Sequence, residues 1–385
     1  MSAQIIRKNL EWFKSSGVMF PADGSWGVAE RIAVKAGNAA MERILNIFPA
    51  YTEFDGGCII EPRRADCNFQ TAWIFLTAGR LFPEEGYESI GRNIIDFLYC
   101  RSGLLERSSE PGVVPGSWNW SHITRKPAIW YDDESWCIFL QHKIADAFPE
   151  LDRKYQMHHW ANTLAGELYQ ALAPVEASPL WSGDRTMPHF SALGTMALAE
   201  AATAETREQY LELAKNIYSN FDCPNTSEHA YALLGAINCA RKFDRKFFLA
   251  QARKHANAII AKIDPATGIM PAEHHEAPQG SAFADLIYTV NWSLIGMREL
   301  ALLLPEYREL AEQLINFVCK IQDNSPSSRF NGCWRGMYDV SQQTWGGGDH
   351  HEGGANSIYT GWTNAPICSA LLMEYSGRSM FDAMP

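Results

Sequence analysis

The sequence predicts an all-α protein, an (α/α)6 barrel of six inner and six outer helices. Three observations carry this. Apolar residues recur with helical spacing almost throughout. Helices with one wet face alternate with helices that are apolar on every side, and the alternation runs six times. The long connections, rich in Gly, Trp, His and acids, mostly lead into the apolar helices.

The elements follow from that contrast. In the stretch 205–219, Tyr210, Leu213, Ala214 and Ile217 stand at i, i+3, i+4 and i+7 while Glu212 and Lys215 point away, which marks a helix half in water. From Glu228 to Ala240 the chain is apolar all round with small residues interspersed, as expected of a helix covered on all sides. Half-exposed helices are predicted near 27–47, 86–100, 151–173, 205–219, 245–263 and 305–321. Apolar ones are predicted near 66–82, 131–148, 188–203, 227–240, 284–303 and 356–375. The chain, 1–385, is expected to form a single barrel domain. In such a barrel the inner helices run in parallel, so their N-termini, with free N–H groups, converge on one end with the loops that precede them.

Composition narrows the function. With 46% hydrophobic and 20% charged residues the chain can bury a large core, and a net charge of −11 has the wrong sign for phosphate neutralisation, so nucleic acid is excluded as a partner. Nine cysteines, scattered and without a C-x-x-C pair, suit neither a disulfide framework nor a zinc site. The first ten residues lack a charged start followed by an apolar run, and no window approaches ~20 apolar residues. A cytoplasmic location without membrane attachment is therefore the expectation, and no cofactor or metal is called for.

Aromatic residues make up 12% of the chain. Nine of the 13 Trp fall in the long loops or the early turns of inner helices: Trp118, Trp120, Trp130, Trp136, Trp181, Trp292, Trp334, Trp345 and Trp362. Those loops are 52–64, 115–131, 178–188, 270–283 and 329–355. Flat amphipathic rings at one barrel end point to a ligand cleft, against the alternative that they close that end as packing.

The sharpest group of acids is Asp132-Asp133-Glu134, flanked by Trp130, Tyr131 and Trp136 at the start of the second inner helix. Here the sequence resembles the (α/α)6 glycosidases of the six-hairpin superfamily. The endo-α-1,6-mannanase family carries Tyr-Tyr-Asp-Asp-Asn-Ala-Trp at such a helix start with both Asp catalytic, and Tyr131, Asp132, Asp133 and Trp136 match it while Glu134 and Ser135 depart. Unsaturated glucuronyl and rhamnogalacturonyl hydrolases carry Trp-x-Asp-Asp with the first Asp as general acid, which corresponds to Asp132 after Trp130. Their Trp-x-Arg-Gly-x-Gly-Trp segment is not found here. The resemblance implies a glycoside hydrolase acting on short oligosaccharides.

Hydrolysis of that kind needs one carboxyl kept protonated and one kept ionised, and neighbouring like charges separate two pKa values. The alternative for the acidic triplet is an N-cap with first-turn acids meeting the helix dipole. Asp66, opening the first inner helix after Arg63 and Arg64, is either a further catalytic carboxylate or a cap paired with the arginines. Arg63, Arg64, Arg125, Lys126 and Arg335 lie in the loops of an acidic protein; a guanidinium fork matches a carboxylate, so an acidic sugar enters the expectation. His122, Trp181, His189, Trp345, Asp349, Glu352 and Trp362 are further candidate sugar contacts. His-His-Glu at 274–276 and 350–352 lacks the i, i+4 spacing of a helical metal site. Glu228, His229, Tyr288 and Asn291 read as polar groups of the barrel core. Two other classes stay open: a 2-epimerase of the acylglucosamine type, using paired histidines, and a carbohydrate-binding protein without catalysis. The Asp-Asp-x-x-Asp magnesium site of terpene cyclases is excluded because Trp136 stands at the third acid position.

Overall fold

Where small and apolar residues run without a polar stripe, the helix that forms has no face to give to water. In α2 (Ala65–Leu81) every residue from Ala65 to Gly79 is buried, and α4 (Tyr131–Ala147), α9 (Thr226–Lys242) and α11 (Val290–Leu303) are covered nearly as fully. Outer helices bury one stripe. In α12 (Arg308–Ile321) it is Ala311, Leu314, Ile315, Val318 and Ile321. In α8 (Arg207–Ser219) it is Tyr210, Leu213, Ala214 and Tyr218, with Ile217 only half-buried. The computed structural model describes residues 3–35, 42, 45–46, 50–123, 129–173, 180–183, 188–273, 282–347 and 352–385.

The remaining helices are α1 (Ala3–Ser15), α3 (Tyr87–Asp96), the short α5 (Pro149–Tyr155), α6 (Met157–Leu172), α7 (Pro188–Ala201), α10 (Arg245–Ala261) and α13 (Ala365–Ser376). Helix α2 packs on α4, α4 on α7, α7 on α9, α9 on α11, α11 on α13, and α13 back on α2, which closes the inner ring. Around it α3, α6, α8, α10 and α12 each pack on the inner helix before them, and α1 packs on α13. The chain is an (α/α)6 barrel.

Seven short strands interrupt the helical pattern among the described residues. Strands β1 (Arg31–Val34), β2 (Tyr51–Phe54), β3 (Gly57–Ile60) and β7 (Ser357–Tyr359) form an antiparallel sheet in the order β2-β3-β1-β7. A second sheet joins β4 (Phe283–Asp285), β5 (Met337–Asp339) and β6 (Thr344–Trp345) in that order. Strands β3, β4 and β7 immediately precede α2, α11 and α13, so both sheets build the end where inner helices begin.

These strands correct three expectations. The outer helix expected near 27–47 is absent at Arg31–Val34, where Arg31 pairs with both Ile60 and Tyr359; backbone bonds on two sides outweigh the helical spacing of one short run. Its place is taken by α1, whose Ile6, Leu10 and Phe13 face the core. The supposed loop 52–64 contains a hairpin turning at Asp55-Gly56, where Gly56 takes a φ of 84°. The inner helices expected from 284 and 356 begin later, at Val290 and Ala365, because β4 and β7 occupy their starts; a π-type turn, Thr360–Asn364, leads into α13. At Gly361 a Cβ would collide with Cys67, so this close approach of the last helix to the first requires glycine.

Candidate active site

Every inner helix contributes to one cavity at its N-terminal end. The wall includes Arg64 at the N-cap of α2, Asp132 and Asp133 in the first turn of α4, and His189 and Phe190 in the first turn of α7. Asn225, Ser227 and Glu228 come from the start of α9, Thr289 caps α11, and Trp362 precedes α13. Trp120, Trp130, Tyr231, Tyr288 and Tyr359 add aromatic surface, and the cavity has a volume of about 370 Å³, within the ~300–1,000 Å³ of small-molecule sites.

A chain of alternating charges runs behind this wall. Glu352 receives hydrogen bonds from Tyr288 Oη, at 2.9 Å, and from Tyr359 Oη, and pairs with Arg31 Nη1 at 2.9 Å. Arg31 in turn pairs with Glu30 at 3.1 Å, and Glu30 with Arg64 Nη1 at 3.2 Å. Arg64 also reaches both oxygens of Asp66, at 3.2 and 3.3 Å, and its Nη2 stands 2.7 and 2.8 Å from the two oxygens of Asp133. Asp66 accepts a further bond from Trp362 Nε1 at 2.7 Å. Four carboxylates thus surround two guanidinium groups, and both arginines are buried. Charge-assisted bonds in such surroundings fix side-chain orientation strongly.

The Asp pair is divided by this network. Burial pushes the Asp132 carboxyl up to about 6, with the Arg64 guanidinium opposing. Burial drives Asp133 upward as well, again opposed by Arg64. The direct bonds from Arg64 go to Asp133, favouring its charged form, whereas among the described residues Asp132 accepts the Asp133 backbone N–H, at 3.0 Å. The two titrate as one system, and the geometry places the shared proton on Asp132. Glu134 points away from the cavity: its Oε1 accepts the Trp118 N–H at 2.8 Å, and burial raises its pKa well above the carboxylate range. Burial holds His189 down to about 4, so its imidazole is neutral, with Nδ1 3.5 Å from Glu228 Oε1.

Of the residues expected at the site, Arg64, Trp130, Asp132, Asp133, His189, Glu352 and Trp362 line the cavity. Asp66 does not; it lies behind Arg64, 1% exposed. Tyr131 and Trp181 pack on each other, and Trp136 stacks on Trp292 inside the barrel. Arg63 pairs with Glu61, and His122 accepts the Arg63 N–H with a pKa lowered to about 4 by burial. Arg335 pairs with Asp323 at 2.8 Å, and Trp345 leans on Tyr338. Trp118, Trp292 and Trp334 are buried packing, as is the Asn364 amide, which bonds the Trp334 and Tyr359 carbonyls. Three of the nine clustered Trp therefore face the cavity. Asp349, Arg125, Lys126, His350, His351 and the 274–276 triplet lie outside the described residues. Glu228 and Tyr288 prove to be cavity groups rather than core polar ones. Glu30 and Arg31 were hidden, since a Glu-Arg pair inside an apparent amphipathic helix carries no signal of its own.

Solved structures share this architecture. An α-1,6-mannanase of Salegentibacter sp. is similar over 96% of this chain and 99% of its own, with 15% identity and a TM-score of 0.53. The unsaturated glucuronyl hydrolase of Bacillus sp. GL1 matches at 14% identity over 98% of both chains, with a TM-score of 0.61. The chain has the fold of the six-hairpin enzymes. The cellobiose 2-epimerase of Spirochaeta thermophila is similar to the same degree, at 14% identity over 97% of this chain and 95% of that one, TM-score 0.60. No protein family profile and no curated protein sequence matches the chain. An inactive variant of the mannanase, with two consecutive aspartates replaced, is in complex with α-1,6-mannotetrose. Among the described residues no helix is long and apolar enough to cross a membrane.

Proposed function

We propose that the chain hydrolyses a glycosidic bond in a short, neutral oligosaccharide, with Asp132 as general acid and Asp133 as its ionised partner. The observation that carries this is the Asp pair on the wall of an aromatic cavity: burial raises both carboxyls, and Arg64 Nη2 bonds both oxygens of Asp133, which leaves Asp132 to hold the proton. A carboxyl that keeps its proton can donate it to a leaving oxygen, while a fixed carboxylate beside it meets the positive charge that develops at the sugar. Arg64 is a positioning residue, and Glu30 and Asp66 hold its other nitrogens in place.

A neutral sugar fits better than the uronic acid first expected. Arg31, Arg63, Arg64 and Arg335 are each committed to carboxylates of the chain itself, and Glu228, Glu273 and Glu352 add acidic groups to the wall. Such acids accept bonds from sugar hydroxyls, and the Trp and Tyr faces pack on the ring.

The test is hydrolysis of neutral disaccharides and α-1,6-linked manno-oligosaccharides, followed by release of reducing ends. Asp132→Asn and Asp133→Asn are expected to keep wild-type circular dichroism, and at least one to lose ~10²-fold or more in turnover. Full activity in both would remove the assignment. Neutral His189 in the cavity favours a second reading, a sugar epimerase with a histidine base. Isomerisation of a free monosaccharide without new reducing ends would establish it instead.

A further inference from the structure

Behind the edge of the cavity formed by Asn225 and Glu228, three side chains with metal-ligating atoms lie together. Cys223 lies in the connection between α8 and α9, His229 in the first turn of α9, and His255 on α10. Cys223 Sγ stands 3.3 Å from His229 Nδ1, which stands 3.0 Å from His255 Nδ1, and the three donor atoms fall within 4.8 Å of one another. Hydrogen bonding accounts for part of this arrangement only. An imidazole nitrogen carries either one proton or one in-plane lone pair, so His229 Nδ1 can satisfy one of its two neighbours and not both. His255 is fully buried, with Phe221 edge-on at 4.8 Å and Tyr218 at 6.0 Å, and its Nε2 has no hydrogen-bond partner among the described residues.

We propose that Cys223, His229 and His255 bind a single zinc-class divalent ion, with water in the fourth position. A thiolate and two neutral imidazoles are the donor set of tetrahedral zinc. The observed spacings of 3.0 and 3.3 Å approach the ~3.3–3.7 Å edges of a tetrahedron built on Zn–N and Zn–S bonds of ~2.0–2.3 Å. The thiol gives up its proton to solvent as the ion binds, so uptake is coupled to proton release.

The charges that face the cluster suit a cation. Lys254 and Lys262 come from α10 and its C-terminus; Asp222, Glu228 and Glu273 come from the α8–α9 connection, α9 and the segment after α10. Lys262 is drawn aside to Glu273 at 2.8 Å and the Pro224 carbonyl at 2.6 Å, and Lys254 to the Phe221 carbonyl at 3.2 Å. The bound ion would tie the α8–α9 connection to α10 directly beside the Asn225–Glu228 capping box. It is a structural clamp on one edge of the cavity and takes no part in the acid–base step.

The experiment uses the full chain stripped of metal with a chelator and titrated with Zn²⁺ or Co²⁺. Wild type is expected to take up one equivalent of Zn²⁺ at this cluster. Co²⁺ should give intense visible bands of a tetrahedral site and a thiolate-to-metal charge-transfer band. Cys223→Ser should abolish the charge-transfer band and weaken Zn²⁺ binding beyond the ~10–100-fold typical of losing an outer-sphere partner. His229→Gln tests the same site from a second element if the first variant folds poorly. Zn²⁺ binding unchanged in both variants would overturn the proposal, with the 274–275 and 350–351 histidine pairs as the holders. A Co²⁺ complex without the thiolate band would overturn it equally.

Discussion

Replacing Asp132 by Asn separates stability from activity with a sign that depends on pH. The carboxyl ordinarily titrates near 3.8 and is raised to about 6 in the folded chain. A group raised in this way contributes stability fully below 3.8 and loses that contribution as pH rises through about 6. Two units at ~1.4 kcal/mol each amount to ~3 kcal/mol carried as a cost of ionising the buried group at neutral pH and above. Asn keeps the size of the side chain and the oxygen that accepts the Asp133 N–H, yet has no charge to bury. Asp132→Asn should therefore be more stable than wild type by up to ~3 kcal/mol near pH 8, with the gap closing through pH 6 and absent near pH 3.8. An unfolding entropy of ~2.1 cal/mol/K per residue over 385 residues gives ~0.8 kcal/mol/K, so the gain corresponds to ~3–4 °C in Tm. Thermal and urea denaturation of both proteins at matched pH values measure it, alongside the ~10²-fold loss of turnover expected for a missing general acid. A stability difference that stays flat between acid and alkaline pH would refute the placing of the pair's proton on Asp132.

Arg64→Met leaves Glu30, Asp66 and Asp133 without their shared cation and should cost ~3–5 kcal/mol in urea denaturation at neutral pH; a cost below ~1 kcal/mol would show that the network is not held by Arg64. Glu134→Gln keeps the acceptor for the Trp118 N–H and replaces a carboxyl whose pKa burial has raised, so it should change stability by less than ~1 kcal/mol, whereas Glu134→Ala should cost ~1–3 kcal/mol. Wild-type turnover is expected to fall as pH rises past about 6, as Asp132 loses its proton; an activity that climbs from pH 6 to 8 points to another acid. Trp130, 39% exposed at the cavity, should on change to Ala raise KM ~3–10-fold with little effect on kcat, the ~0.5–1.5 kcal/mol of one aromatic contact. A fall in kcat alone would move Trp130 from binding into the transition state.

Much of the barrel is legible from periodicity because the inner helices differ from the outer ones in a way that water enforces. Helix α12 buries a single stripe and α9 buries nearly all its sides, and both facts can be read from residue spacing. Strand β1 could not be read that way. Its four residues fit a helix as well as a strand, and their state depends on Ile60 and Tyr359, partners 29 and 328 positions along the chain. Asp55-Gly56 between Tyr51–Phe54 and Gly57–Ile60 was a hairpin signal within reach of sequence reasoning.

At the site, the sequence alone determined that acids and aromatics gather where inner helices begin, because capping and amphipathicity are local. The adjacent Asp132 and Asp133 needed no structure to be noticed. Tertiary structure decided what each candidate does. It turned Arg63, Arg64 and Arg335 from free cations into members of ion pairs, moved Trp136 and Trp181 into packing, and set Asp66 behind Arg64. It also brought Glu30 and Glu352, more than 300 residues apart, onto one guanidinium, and left Arg64 bonded to Asp133 rather than Asp132. Charge and burial are sums over neighbours from the whole chain, so the protonation that distinguishes two consecutive aspartates is written in the fold and not in their order.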